Sequence, residues 1–135
     1  MNNGRFATSI HILTLLALEK DKFLSSEYIA GSININPVLV RKEISNLRQM
    51  GLIESKEGKG GGSMLARPAK EILLSDIFQA VSQSPVLGRS HETNKDCPIG
   101  KQINHHIEVL NREAELAMVR KLDKLSLADF CKQFT

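Results

Sequence analysis

Four of the five residues from 58 to 62 are glycines, and this cluster limits the fold more than any other feature of the chain. The runs on either side of it, at 52–56 and 63–66, have the length and composition of short β-strands. Glycine adopts tight and left-handed backbone conformations that other residues avoid. We therefore predict a β-hairpin at about 52–67, with its turn at 57–62.

Two helices are predicted before this hairpin, in the first third of the chain. Apolar residues between Arg5 and Glu19 recur in steps of three and four, the spacing of one buried helix face. They are Phe6, Ile10, Leu13, Leu16 and Ala17. Ser25 is a candidate N-cap for a short second helix, with Glu27 in its first turn. Gly31 is expected to end that helix or to let another helix pack closely.

A third helix is predicted from Pro37 to about Met50. Asn36 can cap it, and a proline at the first helical position loses no hydrogen bond. Gly51 is suited to ending it. The positions expected to face the core, spaced four and three apart, are Val40, Ile44 and Leu47. Three helices followed by a β-hairpin form a winged helix-turn-helix.

The rest of the chain is predicted to hold a short helix, a loop and a long helix. Ser75 is expected to cap the short helix, which is predicted to pack on the first helix. The loop is indicated by residues 82 to 96, in which the apolar residues show no periodicity. The long helix is expected to start near Pro98, because its apolar residues follow a rhythm typical of a helix that packs along another helix. These residues are Ile103, Ile107, Leu110, Ala114 and Ala117. Ser126 and Asp129 resemble a capping box for a last helical turn.

The predicted fold class is therefore mainly α with a small β-hairpin: a winged helix-turn-helix followed by a long C-terminal dimerisation helix. Residues 1–82 are expected to form the winged helix-turn-helix domain, 83–97 a loop, and 98–135 the dimerisation helix with a C-terminal segment. This division places the hairpin, or wing, inside the first domain.

Positive charge is concentrated in the first half of the chain. Residues 1–67 carry nine Lys or Arg against six Asp or Glu, whereas residues 68–135 carry nine of each. A basic stripe is the electrostatic footprint of a protein that binds a polyanion such as DNA. The chain has only two cysteines in 135 residues, which predicts a protein of the reducing cytoplasm. His11 and Thr14 interrupt the N-terminal apolar stretch, so neither a signal peptide nor a membrane span is predicted there.

The third helix and the wing hold the candidate DNA-binding residues. The second helix of a helix-turn-helix enters the major groove, and the wing is expected to reach the flanking minor groove. Arg41 is the best candidate for a bidentate contact to guanine, and Val38 and Leu39 are candidates for thymine methyl groups. Lys42, Ser45, Arg48, Lys56 and Lys59 are expected to lie near phosphates. The full set is Ser25, Val38, Leu39, Arg41, Lys42, Ser45, Arg48, Lys56, Lys59, Gly60 and Gly61.

Other interpretations of these segments remain open. A charged helix face is also typical of an ordinary solvated surface, and glycine turns are frequent in hairpins that bind nothing. A phosphate-binding glycine loop is excluded by its context, because such a loop joins a strand to a helix, and here the glycines join two strands.

The same segments resemble those of a known family. The runs at 29–37, 47–53, 60–62, 65–68 and 72–77 are similar to the Rrf2 family of bacterial transcriptional regulators, and the resemblance covers nearly the whole chain. The run at 97–100 resembles one subgroup of that family. The resemblance implies a homodimer whose long C-terminal helices cross, bound to a palindromic operator.

Departures from the family pattern bear on its cofactor and its operator. Members that bind an iron–sulfur cluster have three closely spaced cysteines in the loop before the long helix, and this chain has only Cys97 there. The resemblance therefore implies no cluster, and no other cofactor is expected. Arg41 stands where a cluster-binding member has an acidic residue, and Glu57 stands where that member has its wing arginine. The operator of that relative is accordingly not expected here.

Cys97 is a candidate sensor of oxidants or electrophiles. It precedes Pro98 at the predicted start of the long helix, where the helix dipole, Lys95 and Lys101 favour a thiolate. The alternative is a small buried residue at a helix start. Cys131 is predicted to pack in the core or near the terminus.

The function that these features predict is sequence-specific DNA binding by a homodimeric transcriptional regulator, a repressor, with sensing through Cys97 as a further hypothesis. The alternative is a winged-helix module that binds protein through Val38, Leu39 and the wing. An enzyme is not expected, because no nucleophile–base pair, paired carboxylates or cofactor motif appears. No metal site is predicted from His91, Cys97, His105 and His106, whose spacing matches no known ligand pattern.

Overall fold

The computed structural model describes residues 4–134 and confirms a mainly helical chain with one small β-hairpin. The helices are α1 (Arg5–Leu18), α2 (Ser26–Ile33), α3 (Pro37–Gln49), α4 (Leu74–Val81), α5 (Ile103–Leu122) and α6 (Leu127–Cys131), and the strands are β1 (Ile53–Lys56) and β2 (Gly62–Leu65). Single turns of 3-10 helix lie at Ala69–Glu71 and Lys132–Phe134. Within residues 4–134 no helix is both long and apolar enough to cross a membrane.

The two helices of the helix-turn-helix begin at the side-chain caps that the sequence predicts. The Ser25 hydroxyl accepts a hydrogen bond from the Tyr28 N–H at 3.1 Å. The Asn36 side chain accepts one from the Val38 N–H at 2.8 Å, and Pro37 occupies the first turn of α3. These caps satisfy N–H groups that have no partner within a helix, so each helix start is fixed locally.

Both helices end at residues in the left-handed conformation. Asn34, with φ 66°, follows α2. Gly51, with φ 78°, ends α3 as predicted, and the next N–H, that of Leu52, donates to the Leu47 carbonyl at 3.0 Å. The prediction for Gly31 is wrong, because Gly31 lies inside α2 and a Cβ on it would meet open space.

The hairpin has a second attachment that the sequence does not predict. β1 and β2 pair antiparallel, with Ile53 opposite Leu65 and Lys56 opposite Gly62. The N–H and C=O of Ser63 also bond the C=O and N–H of Leu24, both at 2.9 Å. The wing is therefore tied to the linker between α1 and α2 as well as to α3.

One hydrophobic core joins the first three helices, the base of the wing and the C-terminal end. The predicted core positions of α3 are buried, and α4 packs on α1 as predicted. The largest side chains of this core include Ile12, Leu13, Leu16, Ile29, Leu47, Leu52, Ile72, Ile77 and Leu127. α6 packs on α1, and Cys131 lies in the same core. The Ser126–Asp129 capping box that starts α6 is present as predicted.

Ser75 does not cap α4, contrary to the prediction. It lies in the first turn of α4, is buried, and donates a hydrogen bond to the Asp123 carboxylate just after α5. The Asp76 carboxylate does the capping, accepting from the Leu73 N–H at 2.9 Å. The serine is used for a contact between distant segments, which local sequence cannot reveal.

The long helix starts at Ile103 and not near Pro98, so Cys97 is not at its N-cap. Residues 97–102 form turns that fold back on the preceding loop. A Cβ at Gly100 would lie only 2.6 Å from the Asn94 carbonyl oxygen, which shows how closely the two segments approach. This close return of the chain delays the regular helix by five residues.

Candidate nucleic-acid interface

One face of α3 is exposed and carries most of the candidate residues. Its members are Val38, Arg41, Lys42, Ser45 and Arg48, which lie within about 120° of one another on a helix. Val38 is 59% exposed, and Leu39 at the edge of this face is 55% exposed. The opposite face is buried in the core. α3 therefore presents apolar and cationic side chains together on its outer side.

A partly buried ion pair positions α3 against α1. Nε and Nη2 of Arg5 donate to the two carboxylate oxygens of Glu43 at 3.1 and 2.9 Å. Glu43 is only 7% exposed, and its hydrogen bonds to the guanidinium raise the pKa of Arg5. Nδ2 of Asn46 donates to the Ala80 carbonyl at 2.9 Å, which attaches α3 to the end of α4. These contacts hold α3 from its inner side and leave the candidate residues outside.

Arg41 contacts the first helix of the helix-turn-helix. Its Nη1 donates to Oε2 of Glu27 at 3.3 Å, and the two side chains are 51% and 73% exposed. An ion pair this exposed adds little to stability. It directs the guanidinium toward α2, while the other N–H donors of Arg41 remain available to a ligand.

The wing places two lysines near an exposed glycine tip. Lys56 ends β1, Lys59 and Gly60 lie in the turn, and all three are exposed. Gly60 has φ 78°, a conformation that favours glycine. Nζ of Lys56 lies 5.9 Å from the centre of the Phe23 ring, a cation–π contact that ties its stem to the α1–α2 linker.

Gly61 and Gly62 are both crowded glycines of the wing, and replacing Gly61 with alanine is expected to destabilise the protein by about 1–2 kcal/mol. A Cβ there would lie 2.1 Å from the Lys56 carbonyl oxygen, so the turn has to open. Gly31→Ala is the matched control, because its Cβ meets open space inside a helix and should stabilise by about 0.5–1 kcal/mol. Urea unfolding measures both effects, and a wing that accepts Gly61→Ala without loss contradicts this crowding.

The start of α2 exposes two hydroxyl groups. The Ser25 oxygen accepts the capping bond, so its proton remains free to be donated to a phosphate. Tyr28 is 51% exposed and donates to a Glu19 carboxylate oxygen at 2.6 Å, which raises the pKa of Tyr28 and keeps the phenol protonated. Sequence reasoning missed Tyr28, because a single exposed aromatic residue interrupts no periodicity.

Cys97 is exposed, so the alternative that it is a small buried residue is wrong. The Gly100 N–H donates to its sulfur at 3.4 Å, and this bond, together with one from the Ile99 N–H, lowers the pKa of the Cys97 thiol. The backbone N–H groups of the 97–100 turn thus lower the pKa of the Cys97 thiol, an effect that we predicted from a helix N-terminus. Cys131 is buried, as predicted, and its burial raises the pKa of that thiol.

α5 turns one face toward its own chain and leaves part of its predicted seam exposed, since Ile107 and Ala114 of that seam are half-buried. The Asn104 side chain donates a hydrogen bond to a backbone carbonyl of the 82–97 loop, and the Asn111 side chain accepts one from a backbone N–H of that loop, both at 2.8 Å. Met118, seven residues after Asn111, lines a cleft together with the same loop. No residue of α5 is buried within the described chain. On the seam, Leu110 is 56% and Ile103 is 39% exposed.

Comparisons with known proteins agree with this architecture. The Rrf2 family model, described as an iron-dependent transcriptional regulator, matches residues 3–133. The chain is 38% identical over 130 residues to YwnA of Bacillus subtilis, whose name describes an HTH-type transcriptional regulator, and the match covers 96% of each chain. It is 30% identical over 125 residues to the HTH-type transcriptional regulator NsrR of B. subtilis, covering 92% of this chain and 85% of NsrR.

A solved structure with the same fold is that of Staphylococcus aureus CymR in an oxidized form. It is similar with a TM-score of 0.70 and 26% sequence identity, over 97% of this chain and 96% of CymR. The family and these named relatives are transcriptional regulators and not enzymes.

The two cysteines of this chain lie in different parts of the fold. Cys97 is exposed in the loop before α5, whereas Cys131 is buried in the core beside α1. Among residues 4–134, no group of three or more His, Cys, Asp or Glu is placed to hold a metal ion.

Proposed function

Because this chain belongs to the Rrf2 family of transcriptional regulators, we propose that it binds a palindromic DNA operator as a homodimer and represses transcription, in the cytoplasm and without an iron–sulfur cluster. In this proposal the outer face of α3 enters the major groove, and the wing follows the adjacent minor groove. Arg41 reads a guanine, Val38 and Leu39 meet thymine methyl groups, and Lys42, Arg48, Lys56 and Lys59 neutralise phosphates.

The observation that carries this proposal is the two-sided character of α3. Its inner side is held by the core and by the Arg5–Glu43 pair, while its outer side exposes Val38, Leu39 and Arg41. Exposed apolar side chains cost free energy unless a partner covers them. The major groove offers both partners, because thymine methyl groups can cover apolar side chains and guanine acceptors can bind an arginine.

The exposed seam of α5 supports the homodimer. α5 has 20 residues, a length of about 30 Å, and three residues of its apolar seam, Ile103, Leu110 and Ala117, are exposed in the single chain. A second copy supplies an identical seam, and a two-fold axis through the pair presents two α3 helices to one side of the DNA. Such a dimer requires inverted half-sites about 34 Å apart.

Selection of bound sequences from random DNA tests the operator, and a salt titration of the selected site tests the mode of binding. We expect two inverted half-sites to be enriched. With six or more neutralised phosphates, affinity should fall about 10³-fold or more between 50 and 200 mM salt, because condensed counterions are released on binding. Fluorescence anisotropy measures this slope. Failure to enrich any sequence, or binding that never saturates, contradicts the proposal and favours a protein-binding module.

The proposed response to oxidants or electrophiles rests on Cys97. The thiol is exposed, its pKa is lowered by the hydrogen bonds of the 97–100 turn, and the related CymR has been crystallised in an oxidized form. Oxidation to a sulfenic acid, or alkylation, would modify the Cys97 sulfur that accepts the hydrogen bond from the Gly100 N–H. The turn that leads into α5 would then lose the bond that closes it.

Thiol labelling checks this directly. The pKa of Cys97 is lowered. Its alkylation should therefore remain fast at pH values where an ordinary thiol of pKa about 8.5 is mostly protonated and reacts slowly. Cys131 should stay unlabelled until the protein unfolds, since it is buried and its pKa is raised. Cys97→Ser should abolish the fast phase. An ordinary titration near pH 8.5 for the fast phase contradicts the sensing hypothesis.

A further inference from the structure

A cleft of about 640 Å³ has no residue of α3 in its lining. Its walls are the C-terminal end of α1, the return strand β2 with the segment after it, and α6. This volume falls in the range of about 300–1,000 Å³ that is usual for small-molecule sites. Nothing in the proposed DNA contacts uses it.

The floor of the cleft is apolar. Leu16, Leu18, Met64 and Ala128 contribute to it from three separate segments of the chain. Cys131 is also part of the lining, and burial raises the pKa of its thiol, so the sulfur adds no charge. An occupant therefore needs an apolar body.

The rim of the cleft is cationic. Lys20, Arg67, Lys70 and Lys132 line it against a single acid, Asp21. Arg67 lies 3.7 Å from the Asp76 carboxylate, and Lys132 lies 3.3 Å from that of Asp129. Lys20 and Lys70 form no ion pair within residues 4–134, so two cations of the lining have no carboxylate partner there.

We propose that this cleft binds a small amphipathic anion, an apolar chain or ring that carries one carboxylate. The apolar body would cover the floor, and the carboxylate would pair with Lys20 and Lys70 at the rim. Charge complementarity selects an anion over a neutral molecule, because four cationic residues and only one acid line this largely apolar cleft.

The position of the cleft connects such a ligand to the wing. Met64 and Leu65 belong to β2, which follows the glycine turn, and Lys20 lies in the linker whose Leu24 pairs with Ser63 of β2. A ligand seated between these segments would fix β2 relative to α1. This regulatory consequence rests on the proposed DNA binding, whereas the binding site itself does not.

Titration of the full chain with octanoate, followed by amide chemical shifts, tests the site without DNA. We expect saturable shifts at Met64, Ala66 and Ala128, with 1-octanol binding at least about tenfold more weakly. Lys20→Gln/Lys70→Gln should weaken octanoate binding about tenfold or more, an effect of the size expected for two charged contacts. The matched control is Lys101→Gln/Lys124→Gln, which removes the same charge from exposed positions outside the cleft and should bind octanoate unchanged.

Several results would overturn the proposal. Shifts confined to α5 would show that octanoate covers the exposed seam instead, and equal binding of octanol would show that no anion is selected. If the Lys20→Gln/Lys70→Gln variant binds octanoate like the control but binds DNA more weakly, the two lysines serve the DNA backbone. If octanoate binding behaves as expected and leaves operator affinity unchanged, the site stands and only its link to the wing is lost.

Discussion

Replacing Leu110 with glutamate is expected to convert the protein to a monomer and to lower operator affinity by about 10²–10⁴-fold, the gain that a second linked half-site normally provides. Leu110 is 56% exposed on the α5 seam, so the change costs the folded single chain little. In the dimer it would place a carboxylate of each copy in an apolar interface, where unpaired charges are strongly unfavourable. Sedimentation measures the mass, and anisotropy on the selected operator measures the affinity.

The same helix offers a matched control. Leu116 is 54% exposed, and its position six residues after Leu110 turns it about 120° away around the helix. Leu116→Glu therefore adds the same charge at a similar exposure but outside the seam, and it should stay dimeric. If Leu116→Glu separates the subunits while Leu110→Glu does not, the dimer uses another face of α5. If both variants remain dimers, α5 is not the interface.

Local signals in the sequence were sufficient for the elements that carry the helix-turn-helix. The Ser25 and Asn36 caps, Pro37 at the start of α3 and Gly51 at its end act within a few residues of their own positions, and each is found as predicted. The same holds for the rhythm of Val40, Ile44 and Leu47, since a helix has only one face that can be buried.

The errors arise where a residue's partner is distant in the chain. Ser75 has the position and residue type of a cap, but its hydroxyl donates a hydrogen bond to the carboxylate of Asp123, 48 residues away. Pro98 has the residue type of a helix start, but the helix is delayed because the chain at Gly100 packs against Asn94. A contact of this kind leaves no periodic pattern in the sequence. The pairing of Glu43 with Arg5 was also missed, although a carboxylate beside the core positions of α3 was a sign that a cation had to lie opposite.

The predicted DNA contacts also divide into features set by local sequence and features set by partners distant in the chain. The sequence identified which residues of α3 lie outside, and the fold adds that Arg41 is joined to Glu27 across the two helices of the motif. Glu27 and Arg41 are 14 residues apart, and nothing in either segment alone indicates the pair. A carboxylate beside Arg41, the arginine proposed to read a base, also adds negative charge close to the expected path of a phosphate backbone. Glu27→Gln should therefore raise affinity slightly for every sequence.

Arg41→Ala is expected to weaken binding to the selected operator by about 1–3 kcal/mol, roughly 5- to 150-fold, and to relax preference at one G·C pair in each half-site. Arg41→Lys keeps the charge but loses the planar fork that fits guanine O6 and N7, so it should lose the same preference while its salt dependence stays unchanged. Lys42→Ala is the contrasting variant, because Lys42 lies on the same exposed face but is assigned to a phosphate. It should weaken all sequences alike and reduce the salt slope by about one charge. Competition anisotropy with every base substituted at each half-site position separates these patterns. Were Lys42→Ala to relax one base position while Arg41→Ala weakened all sequences equally, α3 would lie in the groove with a different face inward.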